Sequence, residues 1–418
     1  MNRILVQCES GAVKVALLED DRLMEIYTQT DTGRQTVGNI YKGRVVNVLP
    51  GMEAAFVDIG QSKNAFLYID DLLPAHLEKQ PKVKPPITDL VHEGQEIVVQ
   101  IAKEAFGTKG AKVTTHFSLP GRWIVYMPGA DYVGVSRKIE SDTERQRLRE
   151  LAETIRRPGE GLILRTVAAH ESDEAILWDL ERMRTLWDDI TRKAAAAAAP
   201  SEVYHELDMI PRLIRDIMND EIEELIIDSE KIGRMVKDFL RKMSDHLADR
   251  VIVDRQPEPL FQRYGVDEQL DKAFRPKIWL DNGGYLIFDQ TEALTVIDVN
   301  TGKYTGSVDL EETVFATNLE AAKQIARLLR LRDIGGIVII DFIDMELEEH
   351  RRKVLETLEE CVKRDRTKCI VVGWTKLGLL EMTRKKVRDN IDYASLGICP
   401  VCGGSGRVPH RREKEVSR

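Results

Sequence analysis

The sequence predicts a mixed α/β protein built from several subdomains, on three observations. Two short runs rich in Val and Ile, 294–299 and 336–343, are each interrupted by one aspartate and are typical of buried parallel strands. The segment 310–332 between them has apolar residues at roughly helical spacing, so strand, helix and strand should form one βαβ unit. Residues 37–117 instead contain many short strands separated by glycine turns, a pattern typical of a small β-barrel.

The two aspartates of the βαβ unit predict a ligand site. Asp298 and Asp341 should lie together at the carboxyl ends of neighbouring parallel strands, where ligands bind in such sheets. Two carboxylates at one edge repel each other, and Mg²⁺ is the usual hard cation held by one or two of them. Asn300 should face the same side and orient a water or a phosphate, with Asp344 and Glu346 as further oxygen ligands. On spacing alone, a structural role as helix caps or arginine partners remains an open alternative.

The composition is that of a globular protein with about two to four domains. Lys and Arg number 61 and Asp and Glu number 70, and the net charge of −9 argues against a bulk nucleic-acid binder, although local patches matter more. No run approaches a membrane span, and the first residues lack the apolar core of a signal peptide, so we expect a cytoplasmic protein. The five cysteines, an odd count, do not indicate a disulfide framework.

The segments around the barrel predict further strands and helices. Residues 1–35 alternate in hydrophobicity and break at Glu19-Asp20-Asp21, which predicts a hairpin whose strands need a partner elsewhere in the chain. Residues 140–157 predict a charged helix, and 161–166 predict a strand that ends in a polar pair. A run of alanines before Pro200 predicts the solvent-facing end of a helix.

The barrel segment carries a recognisable set of motifs. They are Gly43-Arg44-Val45-Val46, Ala54-Ala55-Phe56-Val57-Asp58-Ile59-Gly60, Ala65-Phe66-Leu67 and Gly94-Gln95-Glu96. This set resembles an S1 RNA-binding domain, a barrel of the OB type, which stacks bases on aromatic rings at about 1–3 kcal/mol per base. Phe56 and Phe66 are the candidate stacking residues, and Lys103, Lys109 and Lys112 the candidate phosphate contacts. The alternatives are core aromatic residues and an ordinary solvated loop.

Three motifs follow the barrel in a specific order. They are Val296-Ile297-Asp298-Val299-Asn300-Thr301-Gly302, Ile339-Ile340-Asp341-Phe342-Ile343-Asp344-Met345 and Cys399-Pro400-Val401-Cys402-Gly403-Gly404. Behind an S1-like segment, they make the chain from its first residue to about residue 408 resemble the catalytic core of the ribonuclease E/ribonuclease G family. Members of that family are bacterial endoribonucleases that cut single-stranded RNA.

The resemblance implies a fixed order of subdomains. An RNase H-like structural subdomain would be interrupted by the S1 barrel and a 5′-sensor, and would be followed by a DNase I-like α/β catalytic subdomain and a zinc-link with a basic tail. The corresponding ranges are 1–35 with 215–278, 36–118, 119–214, 279–398 and 399–418. The RNase H-like part is structural in this family, so we assign no catalysis to its acidic residues, including Asp228.

The resemblance also implies the chemistry. Asp298 and Asp341 match the two aspartates that hold one catalytic Mg²⁺, and Asn300 matches the residue that orients the scissile phosphate or the metal's water. The implied reaction is hydrolysis of single-stranded RNA by a metal-activated water, leaving 5′-phosphate and 3′-hydroxyl ends, in rRNA processing and mRNA decay. The competing interpretations are a non-catalytic S1-type RNA-binding protein and a related nuclease or phosphatase acting on DNA.

The middle segment resembles the family's 5′-sensor, which grips the monophosphate at the 5′ end of RNA. Arg165 and Thr166 match its phosphate-binding pair, and a guanidinium fork with a hydroxyl suits a terminal phosphate. The other matching positions are Gly121, Val125, Arg137 and Lys368. Family members often have arginine at the last of these, and lysine keeps the charge but loses the fork. The alternative for Arg165 is a structural ion pair.

Cys399 and Cys402 form half of a zinc site, because a closed structural zinc takes four ligands and one Cys-x-x-Cys supplies two. In the family, each of two chains contributes one pair, which implies a homodimer joined by one shared Zn²⁺. A redox-active pair is the alternative. Longer members continue into a small helical domain and a scaffold that docks other RNA-decay enzymes. This sequence stops at Arg418, so we expect no scaffold-mediated partners.

Overall fold

The structure, a computed structural model, describes residues 1–30, 36–73, 84–105, 109–241, 245–291, 293–302 and 310–386. Its strands are β1 (Arg3–Glu9), β2 (Ala12–Glu19), β3 (Arg22–Thr30), β4 (Ile40–Leu49), β5 (Ala54–Asp58), β6 (Ala65–Tyr68), β7 (Glu96–Lys103), β8 (Lys112–Thr114), β9 (Leu119–Pro120), β10 (Ile124–Pro128), β11 (Val133–Val135), β12 (Glu160–Leu164), β13 (Ser201–Tyr204), β14 (Glu224–Ile227), β15 (Val251–Val253), β16 (Lys277–Trp279), β17 (Tyr285–Gln290), β18 (Leu294–Asn300), β19 (Gly336–Asp341), β20 (Cys369–Trp374) and β21 (Leu380–Arg384).

The helices are α1 (Asp142–Ile155), α2 (Asp173–Ala196), α3 (Met209–Ile217), α4 (Glu230–Arg241), α5 (Asp245–Ala248), α6 (Leu260–Arg263), α7 (Val266–Ala273), α8 (Leu310–Leu331) and α9 (Glu348–Lys363). Serine caps begin the first two, since Ser141 accepts from the Glu144 N–H and Ser172 from the Ala175 N–H, each at 3.2 Å. In the part of the chain that the structure describes, no helix is long and apolar enough to cross a membrane.

The first three strands find their partner far along the chain. They form an antiparallel meander in a sheet of order β15-β14-β1-β2-β3, and β14 lies parallel to β1 with Arg3 opposite Glu224. Asp20 and Asp21 both have left-handed backbone conformations, as a tight hairpin turn between right-twisted strands requires. The predicted hairpin and its need for a distant partner are therefore confirmed.

A closed barrel follows. Strands β4, β5, β6, β8 and β7 pair in that order, β4 also pairs with β7 to close the ring, and β13 adds to the outside of β4. Gly43 permits this closure, because a Cβ there would lie only 2.6 Å from Cγ1 of Val57. The barrel predicted from the spacing of short strands is present, and the structure is mixed α/β as predicted.

The next sheet has the order β11-β12-β10-β9 and packs on α1 and α2. Its core contains Ile124, Leu162, Leu164, Leu148 and Leu180, all fully buried. Strand β12 ends at Leu164, so the polar pair predicted at 165–166 lies directly after its carboxyl end.

The last sheet has the order β16-β17-β18-β19-β21-β20. Strands β18 and β19 are parallel and are joined through α8, which confirms the predicted βαβ unit, whereas every other pairing in the sheet is antiparallel. The sequence predicted strands with near-continuous burial, but alternate residues differ: Ile297 and Ile340 are fully buried, whereas Asp298 is half-buried and Ile337 exposed. One face therefore carries the core against α8, and the other is open.

Candidate active site

Asp298 and Asp341 lie side by side on the open face of the last sheet. They are directly paired residues of the parallel strands β18 and β19, so their side chains project from the same face at neighbouring strand spacing, about 4.8 Å. Asp298 is half-buried and Asp341 is exposed. The sequence predicted both their proximity and their place at the carboxyl end of the strands.

One hydrogen bond and two neighbouring carboxylates define the surroundings of this pair. Asn300 donates from Nδ2 to Oδ2 of Asp298 at 2.8 Å. Partial burial raises the pKa of Asp341, and the neighbouring carboxylates of Asp298 and Asp344 raise it further. Within the described ranges, neither aspartate has an arginine or lysine partner or caps a helix.

The two carboxylates of Asp298 and Asp341 suit Mg²⁺ better than a metal ion whose ligands all come from the protein. Among the described residues, no three His, Cys, Asp or Glu side chains are grouped as a metal cage. Mg²⁺ is commonly held by one or two carboxylates, with waters and substrate phosphates completing its shell. Two adjacent carboxylates on an open face, with no basic partner in the described part of the chain, meet that requirement, and their mutual repulsion would be relieved by the ion.

A buried helix side chain positions the loop after β19. Asn318 of α8 is fully buried, accepts from the Ile343 N–H at 3.1 Å, and donates to the Ile343 carbonyl at 2.8 Å. Glu311 accepts from the N–H groups of Glu346 and Leu347 at 3.1 and 3.2 Å and contacts His350. Sequence analysis missed both residues. The only available signal was a polar Asn on the apolar face of α8.

The barrel brings its candidate RNA contacts together. Phe56 and Phe66 are paired across β5 and β6, both half-buried, with ring centroids 5.9 Å apart in an edge-to-face arrangement. Lys112 is the neighbour of Phe66 on β8, and Lys103 is opposite Lys112 on β7. Lys109, also exposed, precedes β8. Four of these five residues therefore occupy adjacent positions on one barrel wall.

Arg165 and Thr166 line a cavity of about 570 Å³. The Arg165 guanidinium donates to the Gly121 carbonyl at 2.8 Å and pairs with Asp216 at 2.7 Å. The Thr166 hydroxyl lies 2.8 Å from that of Ser136. Arg165 is thus both an ion-pair partner and a wall of the cavity.

The cavity is strongly basic and is shared between distant parts of the chain. Its basic lining residues are Lys138, Arg165, Arg330, Lys363, Arg364 and Arg366, and its acidic ones are Glu19, Asp216 and Glu221. The cavity does not include Asp298 and Asp341, which lie on an open sheet face.

The remaining predicted positions are more scattered. The Gly121 carbonyl accepts a hydrogen bond from Arg165. A Cβ on Gly121 would lie 2.3 Å from Oδ2 of Asp179, so packing alone requires glycine at this position. Val125 pairs with Ile163 on β12, and Arg137 is exposed. These two residues and the exposed Lys368 are not among the cavity's lining residues, whereas Arg366 is. Cys399 and Cys402 lie outside the described residues.

Comparisons with known proteins show which family the chain belongs to. A sequence model of the Ribonuclease E/G family matches residues 118–387. Ribonuclease G of Haemophilus influenzae is 43% identical over 412 residues, 97% of this chain and 84% of that protein. Ribonuclease G of Escherichia coli K12 is 40% identical over 410 residues, with the same coverage. Ribonuclease E of a Nostoc species is 38% identical over 408 residues, 96% of this chain and 59% of that protein. This chain therefore belongs to the ribonuclease E/G family.

Proposed function

We propose that this chain, an endoribonuclease acting on RNA as its family membership shows, cleaves single-stranded RNA in a Mg²⁺-dependent reaction at Asp298 and Asp341. The observation that carries the proposal is the register of β18 and β19, which sets the two carboxylates directly beside each other on an open face, with no basic partner among the residues that the structure describes. The products would carry a 5′-phosphate and a 3′-hydroxyl. RNA processing, of rRNA precursors and mRNA, is the proposed role.

The residues of the site have distinct tasks in this proposal. Asp298 and Asp341 would hold the ion, and Asn300 would fix the Asp298 carboxylate through its hydrogen bond while directing its second amide hydrogen toward a water or phosphate. A bound Mg²⁺ would lower the pKa of a water and offset charge that develops on the phosphate. Asn318 and Glu311 would keep the loop after Asp341 in place.

The subdomain assignment is part of the proposal. The sheet order β15-β14-β1-β2-β3, with an antiparallel meander beside two parallel strands, supports an RNase H-like structural unit at 1–35 and 215–278. The closed barrel supports an S1 domain at 36–118 that holds RNA through Phe56 and Phe66. A DNase I-like catalytic unit at 279–398 would contain the last sheet.

The basic cavity at Arg165 and Thr166 supports a 5′-sensor at 119–214 that accelerates cleavage of RNA with a 5′-monophosphate. A guanidinium, a hydroxyl and further arginines in one lining are groups that bind a terminal phosphate. The position of Arg366 in the lining, rather than Lys368, supports Arg366 as the cation that the catalytic half contributes.

We further propose that Cys399 and Cys402 hold one Zn²⁺ together with the same pair of a second copy, which gives a homodimer. One Cys-x-x-Cys supplies two of the four ligands that a closed site requires. A cytoplasmic location follows from the proposed RNA substrates.

The test is cleavage of one short A/U-rich RNA, made with a 5′-monophosphate or a 5′-hydroxyl, in Mg²⁺ and in EDTA. We expect cleavage in Mg²⁺ alone, faster on the monophosphate. Asp298→Ala should lower the rate by roughly 10²- to 10³-fold or more, as loss of a transition-state stabilising group does, with RNA affinity nearly unchanged. The matched control is Asp289→Ala, an exposed carboxylate on the adjacent strand β17.

Three outcomes would change the proposal. Equal rates on the two RNAs would retain the nuclease and remove the sensor. Binding without cleavage by a dimeric, zinc-loaded preparation would favour the non-catalytic RNA-binding alternative. Equal loss in Asp298→Ala and Asp289→Ala would place the metal elsewhere.

A further inference from the structure

A compact aromatic patch lies on the sheet edge next to the candidate active site. Trp279, on the edge strand β16, is 50% exposed, although tryptophan is usually well buried. Its ring meets that of Tyr285 on β17 edge to face, with centroids 5.5 Å apart and planes at 62°. The Lys277 ammonium lies 3.4 Å from the Tyr285 ring centroid and 4.5 Å from that of Trp279. We call these three residues the edge patch.

The edge patch shares its face with Asp298 and Asn300. Trp279 is paired with Tyr285, and Tyr285 is paired with Asn300, so these three side chains form one row across β16, β17 and β18. Directly opposed residues of antiparallel strands project from the same face. Trp279 is two strand spacings from Asn300, about 10 Å, which is within reach of a nucleotide close to the scissile phosphate.

The loop after Asn300 packs against the two rings. Gly302 has a left-handed backbone, and a Cβ on it would lie 3.0 Å from Cδ1 of Tyr285 and 3.3 Å from Cζ3 of Trp279. On the other side, Glu320 of α8 accepts from the N–H of Asn282 at 3.3 Å and so fixes the turn between β16 and β17. The patch is therefore held firmly at the active-site rim.

We propose that the edge patch is a base-stacking subsite that holds a nucleotide of single-stranded RNA beside the scissile phosphate, with Trp279 as its platform and Lys277 near the RNA backbone. The proposal rests on the proposed function of the Asp298 site. Proteins bind single strands without sequence preference through aromatic rings that stack on bases and through positive charges near the backbone. The half-exposed indole of Trp279 and the ammonium of Lys277 provide both features on the face where the proposed substrate would lie. Because the two rings meet edge to face, neither ring stacks on the other.

The test compares the wild-type protein and its Trp279 variants on a series of RNAs that each lack one base. The A/U-rich RNA is made with one abasic nucleotide at each position around the cut, and kcat/KM is measured in Mg²⁺. In the wild-type protein, removal of the base at one position should lower kcat/KM by roughly 5- to 100-fold, the range expected for one stacked base. The kcat/KM of Trp279→Ala should be lower by the same factor on intact RNA, and it should not fall further when that position is abasic. Trp279→Phe should restore most of the rate.

Trp178 is the matched control. It is 45% exposed on α2, and Arg182 lies 5.4 Å from its ring centroid, so Trp178→Ala removes an equally exposed ring under a cation, away from the active-site sheet. This variant should cleave as the wild type does, with an unchanged abasic profile.

The outcomes separate the subsite from other roles. The proposal would be overturned if Trp279→Ala cleaved intact RNA as fast as the wild-type protein does. It would also be overturned if the variant cleaved more slowly but still lost the same factor as the wild-type protein at the sensitive abasic position. Loss of the dimer in Trp279→Ala, read by light scattering, would assign the patch to contacts between copies. If the wild-type protein does not cleave in Mg²⁺, the proposed function fails, and the same scan, read as RNA affinity in EDTA, still decides the subsite.

Discussion

Asn300 donates a hydrogen bond to the Asp298 carboxylate across one residue of the same strand, at 2.8 Å from Nδ2 to Oδ2. Side chains two apart on a strand face the same way, so the bond needs no backbone distortion. The bond engages Oδ2 of Asp298, while the neighbouring Asp341 is exposed on the open face. The carboxylate that would bind metal is therefore held in one orientation before metal arrives.

The first prediction concerns this bond. Asn300→Ala should free the Asp298 carboxylate, raise the Mg²⁺ concentration for half-maximal cleavage, and lower the rate by roughly 10- to 100-fold, as loss of an orienting partner commonly does. The measurement is a Mg²⁺ titration of the cleavage rate. Gln290→Ala, which removes an exposed amide from β17, is the control. An unchanged Mg²⁺ requirement in Asn300→Ala would show that the bond has no part in metal binding.

The second prediction uses the repulsion within the carboxylate pair. Asp341→Asn removes one charge beside Asp298 and Asp344, so the variant should melt at a higher temperature than the wild-type protein in EDTA near pH 7. Added Mg²⁺ should raise the melting temperature of the wild-type protein and leave that of the variant nearly unchanged. Equal responses of both proteins to Mg²⁺ would place the binding site outside this pair.

Asp298 and Asp341 could be predicted from the sequence because two local signals agree there. Each aspartate ends a short Val/Ile run, and the run of helical periodicity between them forces a parallel arrangement with both carboxyl ends at one edge. The barrel was equally accessible, because its strands follow one another closely in sequence. Both predictions depend on contacts between adjacent elements.

The parts that sequence reasoning missed depend on distant contacts. The place of Asn318 on the apolar face of α8 indicates burial, but its partner, the loop at Ile343, becomes known only when the helix is docked. Arg366 and Glu25 meet although 341 residues separate them, and no periodicity predicts a pair at that distance. The open face of the last sheet was missed for the same reason, since burial depends on which other element covers the strand.

The third prediction tests the loop support. Asn318→Ala removes the side-chain partner of the half-buried N–H and carbonyl of Ile343, which should destabilise the protein by about 1–2 kcal/mol and also weaken Mg²⁺ binding. Urea unfolding and the Mg²⁺ titration measure the two effects. Thr317→Ala is the control, because among the described residues this buried neighbour hydrogen-bonds to the Thr313 carbonyl of its own helix and to no part of the loop. It should lose stability without a change in Mg²⁺ requirement.

The fourth prediction separates the two roles of Arg165. Arg165→Lys keeps a positive charge beside Asp216 but loses the fork that would grip a terminal phosphate. Cleavage of 5′-monophosphate RNA should fall by roughly 10- to 100-fold, the worth of one charged hydrogen bond, to the rate seen with 5′-hydroxyl RNA. The rate on 5′-hydroxyl RNA should not change. Equal slowing of both RNAs would favour the structural ion pair.

The fifth prediction concerns the buried junction behind the cavity. Glu25 of β3 pairs with Arg330 of α8 at 2.6 Å and with Arg366, and it also meets Tyr27. Burial alone would raise the pKa of Glu25, but the two arginines outweigh it and lower that pKa to about 2. Because the folded pKa is below the unfolded value of 4.5, this carboxylate stabilises the fold above about pH 4.5 and ceases to do so as pH falls toward 2.

Glu25→Gln should therefore cost about 3 kcal/mol at pH 7, since it removes a buried negative charge from between Arg330, which keeps Glu19 as a partner, and the more exposed Arg366. Urea unfolding at pH 7, 4 and 3 measures the difference from the wild-type protein, which should shrink as the pH is lowered. Glu268→Gln, which removes an exposed partner of Lys272, should leave the unfolding midpoint unchanged. A difference that stays constant with pH would mean that the side chain acts through its shape and hydrogen bonds, and that its charge does not hold the junction between the N-terminal sheet and the catalytic half.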